Sequence, residues 1–596
     1  MKEILERPVS YYMQKDVLLM DNTSTISLAS MIMKRRAQES VVVVKAGKPI
    51  GIVTDQDIID NLAQKGVSPF GSSLELIMSS PLITIEPDAK VKNALAKMRE
   101  SNVRKLVVIE DGMVKGMITQ SMIATAIRNA VITKPKGIKP GLKSILGNLG
   151  FVLQFAGILI IIPALLSTFI NEPVTATGIY LMSVALLTTG FFLNSYGEKA
   201  PLNLRQASIL VLSSFLLLSI FGMIPYVYLN PFGATNTINL LVNSFFESTA
   251  GFTTGGLSTI TTPEDLPQSF RFFRGFTQWV GGLSFIYLVM TVFYPEGKLA
   301  GMQGFLTGKT LQLRELFATI TIIFSIYTAI VTSILFLLGS TNTIDDVALV
   351  FSGLSTGGFL SNSNILPSME LYSLLAVISA MILGALPFTY HYALIKRRFL
   401  TPRVSKEIAI FLLILAAGIA LFPLIAGLDP FVAAFHAISA STTTGFQFTN
   451  LSTLNDGAKI FLILLMLVGG TAFSTAGGIK VLRFITLTDF ARNARYRETR
   501  AKIQSRDVKE FVSAAIIIIL FPTIAYFTAL HLMGQGYSFM DSYFESTAAL
   551  TTGGLSVGIT NPDLAHASKI ILSINMILGR FEIIAIIYIF VPRLMY

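Results

Sequence analysis

Beyond residue 150 the chain is built from apolar stretches of about 20 residues, the length at which a helix crosses roughly 30 Å of hydrocarbon. They predict ten spans, at about 151–170, 177–194, 204–229, 275–294, 313–339, 368–395, 406–427, 458–490, 508–533 and 567–592. Shorter apolar segments of about a dozen residues lie between some of these, too short to cross and suited to re-entrant half-helices. Each runs into a Thr/Gly cluster: TTGGL (253–257), STGGF (355–359), TTTGF (442–446) and TTGGL (551–555). All four obey one rule: a hydroxyl residue, Thr, any residue, Gly, then Leu or Phe. The first and last copies extend further, as FFESTAGFTTGGLS (245–258) and YFESTAALTTGGLS (543–556) agree at 11 of 14 positions. Span, half-helix, loop and span, four times over, predict fourfold pseudosymmetry.

Before residue 140 charge is frequent and no apolar run is long enough to span a bilayer. Residues 17–59 and 81–123 parallel each other. Each reads as short strand, amphipathic helix, β-branched strand, turn, second strand and helix. KAGKP and EDGMV carry the turn signals, and Asp88 after Pro87 is the expected cap of a helix. The basic, Pro/Gly-rich TKPKGIKPGLK (133–143) marks a boundary. The expected organisation is an α/β pair at 1–130, a linker at 131–150, two extra helices at 151–203, and pore repeats at 204–300, 301–403, 404–505 and 506–596. The first residues, MKEILERPVS, lack the apolar core of a signal peptide.

Composition narrows the function. Hydrophobic residues make up 52% of the 596 positions and charged ones 14%, against about 25% charged in soluble proteins. Without cysteine there are no disulfides, thiolate metal sites or Cys nucleophiles. The net charge of +11 comes mostly from residues that punctuate apolar stretches, which argues for membrane orientation and against nucleic acid. Loop 491–506 carries six Lys/Arg and 396–403 carries four, whereas the loops entering the half-helices, such as 228–243 and 534–540, carry none. The positive-inside rule then puts the N-terminal pair and the C-terminus in the cytoplasm and the Thr/Gly clusters toward the outside of the cell membrane. Enzyme chemistry is not expected: His391, His436, His531 and His566 are scattered singly and no HExxH exists for a membrane metalloprotease. Spans almost free of acids argue against a magnesium channel.

Irregular backbone at membrane depth must be buried or line a watery path. A half-helix points its partially negative carbonyl end at the middle of the bilayer, and four around an axis make a cation-attracting centre. Glycine lets successive carbonyls face that axis, Thr hydroxyls add oxygen ligands, and rings of carbonyls replacing a hydration shell are the basis of potassium filters. The candidate filter is Thr253, Thr254, Gly255 and Gly256; Ser355, Thr356, Gly357 and Gly358; Thr442, Thr443, Thr444 and Gly445; and Thr551, Thr552, Gly553 and Gly554. K+ is expected at Gly256, Gly358, Gly445 and Gly554. Plain helix packing by small residues is the alternative, and it explains neither the spacing nor the half-helices.

Two further features bear on gating. GGTAFSTAGG (469–478) interrupts the 458–490 span, and each glycine costs about 1 kcal/mol in a helix. Gly469, Gly470, Ser474, Gly477 and Gly478 therefore predict irregular backbone beside a cavity, with a packing kink as the alternative. Arg580 is expected near the midplane of an apolar span, where a charge is costly and usually functional. Glu582, two positions on, points away, so carbonyls of the 469–478 loop are the expected partners, with a structural Arg bonded to helix ends as the alternative.

The four loops, together with QWVGGLSF (278–285), MILGAL (381–386), GGTAFSTAGGIKVLRF (469–484) and ILGRFE (577–582), resemble the Trk/Ktr/HKT superfamily of cation transporters. The extra pair at 151–194 resembles that of TrkH-type members. The resemblance implies potassium uptake by an α-helical polytopic membrane protein, an intramembrane loop as gate below the filter, and Arg580 at the constriction. It also implies a homodimer with one pore per protomer, and in most members a separate cytoplasmic nucleotide-binding subunit. In the plant branch a Ser at the first filter glycine goes with sodium, and here all four are Gly. Sodium-permeable or ion-coupled transport is the alternative.

Residues 1–130 resemble a pair of CBS modules, which implies an adenine nucleotide: ATP, ADP, AMP or cyclic di-AMP. The ribose-contacting pattern of that family is met at Gly51, Thr54 and Asp57. The second copy keeps Gly116 and Thr119 but has Met122 in place of the Asp, so at most one site is complete. The alternatives are that Thr54 and Asp57 only cap the following helix, or that the pair is a docking or dimerisation module.

Overall fold

The computed structural model describes residues 5–36, 38–64, 67–132, 140–198, 202, 204–293, 313–340, 342–395, 400, 402–495 and 505–581. The chain divides into two units, Met1–Ile138 and Lys139–Tyr596.

The first unit holds two copies of one small sheet. Strand β1 (Leu19–Asp21) lies parallel to β2 (Ser40–Lys45), which pairs antiparallel with β3 (Lys48–Thr54). Strands β4 (Thr84–Ile85), β5 (Lys105–Glu110) and β6 (Met113–Thr119) repeat that order. The hairpins close through Ala46–Gly47 and Asp111–Gly112, where both central residues have positive φ, the pair of left-handed residues that matches strand twist. On the first sheet Val41, Val43 and Val53 pack with Ala29 and Met33 of α1 (Ile26–Arg36) and Ile58 of α2 (Asp55–Gln64). On the second, Leu106, Val108 and Ile118 pack with Ala94 and Met98 of α3 (Val91–Glu100) and Ile123 of α4 (Gln120–Ile132). Asp88 is not the cap expected of it. The N-cap of α3 is Lys90, without a side-chain bond, and the Val91 N–H donates instead to Arg7 O (3.0 Å).

The second unit opens with a hairpin of α5 (Pro140–Phe169) and α6 (Pro173–Tyr196). Helix α5 starts eleven residues earlier than the expected span, inside the segment read as linker. Glycines on facing sides let the two backbones approach, so that Ser183 Oγ reaches Gly157 O (2.7 Å), while Asn194 bonds Gln154 across the pair (2.6 Å). The connection between α5 and α6 is tied to a later part of the chain: Glu172 accepts from Gln268 N (2.9 Å) and Ser269 N (3.0 Å).

Among the described residues, four helix, half-helix, helix units follow. They are α7 (Leu204–Leu229), α8 (Thr237–Phe252) and α9 (Gln268–Phe293); α10 (Leu313–Leu337), α11 (Thr343–Leu354) and α12 (Leu371–Ala385), followed by α13 (Phe388–Ile395). Then come α14 (Pro402–Ala426), α15 (Pro430–Ser441) and α16 (Asp456–Leu467), with α17 (Val481–Arg495) beyond a break; and α18 (Ser505–Met533), α19 (Phe539–Leu550) and α20 (His566–Gly579). Among the described residues six helices are long and apolar enough to cross a membrane, or seven with α12 and α13 taken as one span. Sequence predicts ten. The expected 368–395 span is bent by 107° between α12 and α13. Pro387 has no N–H to continue the helix, and Phe388 N donates to Phe473 O (2.9 Å) in the broken stretch. The expected 458–490 span is interrupted between Leu467 and Val481, and the 567–592 span runs as helix to Gly579, its remainder from residue 582 lying outside the described residues.

Candidate functional site

The four half-helices are built alike. Asn236, Asn342, Asp429 and Ser538 cap their N-termini by accepting backbone N–H bonds with their side chains. Their C-caps are Thr253, Ser355, Thr442 and Thr551, the first residue of each Thr/Gly cluster. The next residue in every copy, Thr254, Thr356, Thr443 or Thr552, has φ between 47 and 54°. Left-handed backbone after a helix usually belongs to Gly, and for a β-branched residue it is strained. Two residues on, Gly256, Gly358, Gly445 and Gly554 have φ of 74, 85, 88 and 67°. Left-handed residues thus alternate with Gly255, Gly357, Thr444 and Gly553.

The four glycines meet. A Cβ built on Gly256 would stand 2.8 Å from Gly554 Cα and 2.7 Å from Gly357 O. One on Gly358 would press on Thr444 O and lie 3.4 Å from Gly256 Cα. One on Gly445 would lie 2.7 Å from Gly554 Cα and 2.9 Å from Gly553 O, and one on Gly554 3.3 Å from Gly255 O. Each glycine therefore abuts its neighbours in chain order, and the carbonyls of Gly255, Gly357, Thr444 and Gly553 lie against the ring. The cluster residues are buried, and the hydroxyls of Thr254 and Thr552 have no hydrogen-bond partner among the described residues.

The stretch between α16 and α17 is pinned directly to this ring. Gly477 N donates to Thr443 Oγ1 (2.6 Å) and Gly478 N to Thr551 O (2.9 Å). Thr475 Oγ1 donates to Gly384 O (2.8 Å) and Leu354 O (3.1 Å), and Thr471 N to Ala385 O (3.2 Å). Gly469 and Gly478 pack backbone on backbone, and a parallel bridge joins Val468 to Ile479. Gly470 faces Ala476, and Ser474 Oγ closes on Thr471 O (2.6 Å). Arg580 is 2% exposed and donates from Nη1 to Thr475 O (2.5 Å), a carbonyl of the loop expected to hold it.

Sequence reasoning missed two side chains here. Glu407 of α14 accepts from Ala472 N, a further tie on the loop. Gln278 of α9 donates to Gly357 O (2.7 Å) and accepts from Phe359 N (3.2 Å). Gln278 opens the QWVGGLSF segment, whereas Glu407 follows Arg403 and Lys406 and carries no comparable signal.

In the first unit Thr54 and Asp57 form a capping box at the start of α2. Asp57 Oδ2 accepts from Thr54 N (2.8 Å) and Thr54 Oγ1 (2.7 Å), and Asp57 N donates back to Thr54 Oγ1 (3.3 Å). Gly51, opposite Val43 on β2, leaves the space that Met78 fills. In the second copy Met122 N donates to Thr119 Oγ1 (3.2 Å), and the apolar Met122 cannot close the box.

A family model described as a cation transport protein, TrkH, matches residues 174–411 and 404–595, and a CBS domain model matches 9–64 and 74–129. An uncharacterized cation transporter of Methanocaldococcus jannaschii is 27% identical over 472 residues, covering 76% of this chain and 96% of that protein. The Trk system potassium uptake protein TrkH of Halomonas elongata is 24% identical over 487 residues, covering 76% and 98%. The crystal structure of the potassium transporter TrkH from Vibrio parahaemolyticus shares the fold, with a TM-score of 0.64 at 22% identity over 76% of this chain and 99% of that one.

Proposed function

From the premise that this chain belongs to the TrkH family of cation transport proteins, we propose that it conducts potassium into the cell through the axis of the four Thr/Gly clusters. The observation that carries this reading is the ring of Gly256, Gly358, Gly445 and Gly554, each two residues beyond a left-handed Thr at the C-terminal end of a capped half-helix. Four helix ends of negative polarity and a ring of carbonyls replace the water around a dehydrated cation. The buried hydroxyls of Thr254 and Thr552 supply further oxygen ligands. The potassium named for the Halomonas relative agrees with four glycines and no wider side chain in the ring.

The loop at 469–478 is the gate, and Arg580 is its latch. A cation meeting the guanidinium in a low-dielectric passage is repelled, and the guanidinium is held where it stands by the Thr475 carbonyl. The basic loops face the cytoplasm together with the CBS pair and the C-terminus, and two protomers assemble, each with its own pore. The CBS pair biases the gate by binding an adenine nucleotide at Gly51, Thr54 and Asp57, with Thr119 on the second module. The closed capping box favours a second reading, in which Thr54 and Asp57 are occupied structurally and the pair docks another subunit. Flux of K+, Rb+ and Na+ into liposomes holding the purified chain, with and without ATP, ADP, AMP and cyclic di-AMP, tests both parts. Potassium flux that excludes sodium supports the first, and a nucleotide-dependent rate supports the second. Equal sodium flux refutes the first, and indifference to every nucleotide leaves the docking reading.

A further inference from the structure

Behind the ring stands a second set of side chains that potassium coordination does not use. Nine residues before the ring glycine, the half-helices carry Glu247, Leu349, His436 and Glu545, all buried. Three of them grip the strand that leaves the ring, at the backbone N–H three residues beyond the glycine. Thr259 N donates to Glu247 Oε1 (2.5 Å), Phe448 N to His436 Nε2 (3.1 Å) and Val557 N to Glu545 Oε2 (3.0 Å). His436 Nδ1 lies 2.8 Å from Val432 O, which fixes the neutral tautomer with its proton on Nδ1 and a lone pair toward Phe448. Leu349 cannot accept. In that repeat, among the described residues, Gln278 of the neighbouring α9 anchors the segment at a different place, accepting from Phe359 N (3.2 Å), one residue beyond Gly358, and from Ser352 Oγ (2.7 Å) while donating to Gly357 O.

We propose that Glu247, Gln278, His436 and Glu545 are positioning residues for ion selection, a shell of acceptors that sets how far the four carbonyl-bearing strands open. Two chemistries divide the shell. Two of the acceptors are carboxyl groups, and two are the neutral imidazole and the amide. In the repeat whose half-helix carries Leu349, another helix supplies an acceptor to the segment leaving the ring, at Phe359 N, which argues that the segment needs an anchor and that the anchors are more than a by-product of helix packing. The proposal rests on the reading of the glycine ring as the filter.

The test uses the full chain in liposomes, with the K+/Na+ flux ratio as readout and Gly554→Ser as control. Glu545→Leu and His436→Leu copy the natural Leu349 and remove the acceptor, while Glu545→Gln and His436→Gln keep a neutral one. The Leu variants are expected to lower the ratio about tenfold, because a buried N–H is left unpaired. The Gln variants are expected to stay within about twofold of wild type, since one hydrogen bond survives. An unchanged ratio in monodisperse Leu variants, with Gly554→Ser altering it, overturns the shell and leaves the filter standing. Should the Leu variants fail to fold, the Gln variants decide: a tenfold fall in them means that shape rather than acceptance matters, and the proposal is wrong. An unchanged ratio in Gly554→Ser removes the filter reading itself.

Discussion

Four threonines in left-handed backbone are the sharpest local departure from what L-residues prefer, and each is followed two residues later by a left-handed glycine. A single left-handed L-residue is unfavourable by about 1–2 kcal/mol, so the strain recurs because the alternation is useful. Gly256 shows the tolerance. A side chain there would meet Gly554 Cα at 2.8 Å and Gly357 O at 2.7 Å, both backbone atoms that cannot swing aside. Gly256→Ser should therefore displace one carbonyl quadrant and lower the K+/Na+ flux ratio by about tenfold, the equivalent of losing one well-placed interaction. Unchanged ratios in well-folded variant protein would count against the ring as the selective element. The positions of the ring were legible in sequence because one spelling recurs four times. The side chains that support it were not. Gln278 and Glu407 reach the ring and the loop from other helices, and nothing in their own neighbourhoods says which backbone they will meet.

At the scale of the element, the broken stretch between α16 and α17 is held by bonds to Leu354 and Gly384 of the second repeat, Thr443 of the third and Thr551 of the fourth. Such a segment moves only if several bonds are exchanged together, which suits a gate with two states. Shortening TAFSTA (471–476) should raise basal flux several-fold, since it removes the Thr471 and Thr475 ties that hold the loop beneath the ring. Arg580→Ala removes a charge-assisted bond worth about 1.5–3 kcal/mol and should raise basal flux by about tenfold or more. If both proteins fold and neither leaks, the loop is not the barrier, and a loss of flux in Arg580→Ala alone would mark a structural arginine. The break itself was legible from its glycines. The bend between α12 and α13 was not, because hydropathy summed over 368–395 hides Pro387, whose missing N–H decides where the helix stops.

For the whole molecule, the question is what an α/β pair contributes to a membrane transport pathway. A ligand shifts an equilibrium only as far as it binds the two states differently. Asp57→Ala in the full chain should weaken adenine-nucleotide binding and blunt the nucleotide response of flux, while leaving the K+/Na+ ratio unchanged. The same change opens the capping box and should lower the stability of the pair by about 1 kcal/mol, so Thr54→Ser, which keeps the hydroxyl, serves as its control. An intact nucleotide response in Asp57→Ala would move regulation elsewhere. The division into an α/β pair and a fourfold helical unit was readable from hydropathy and repeats alone, whereas the start of α5 at Pro140 was not, because its first turns, PGLKS, break the apolar run from which the span was read. The most direct measurement is a heavy-cation structure of the purified chain soaked in thallium or rubidium. Ion density is expected on the axis of the carbonyls of Gly255, Gly357, Thr444 and Gly553, and should disappear in Gly256→Ser. Density confined to other places, in protein that still carries potassium, would contradict a pathway through the four Thr/Gly clusters.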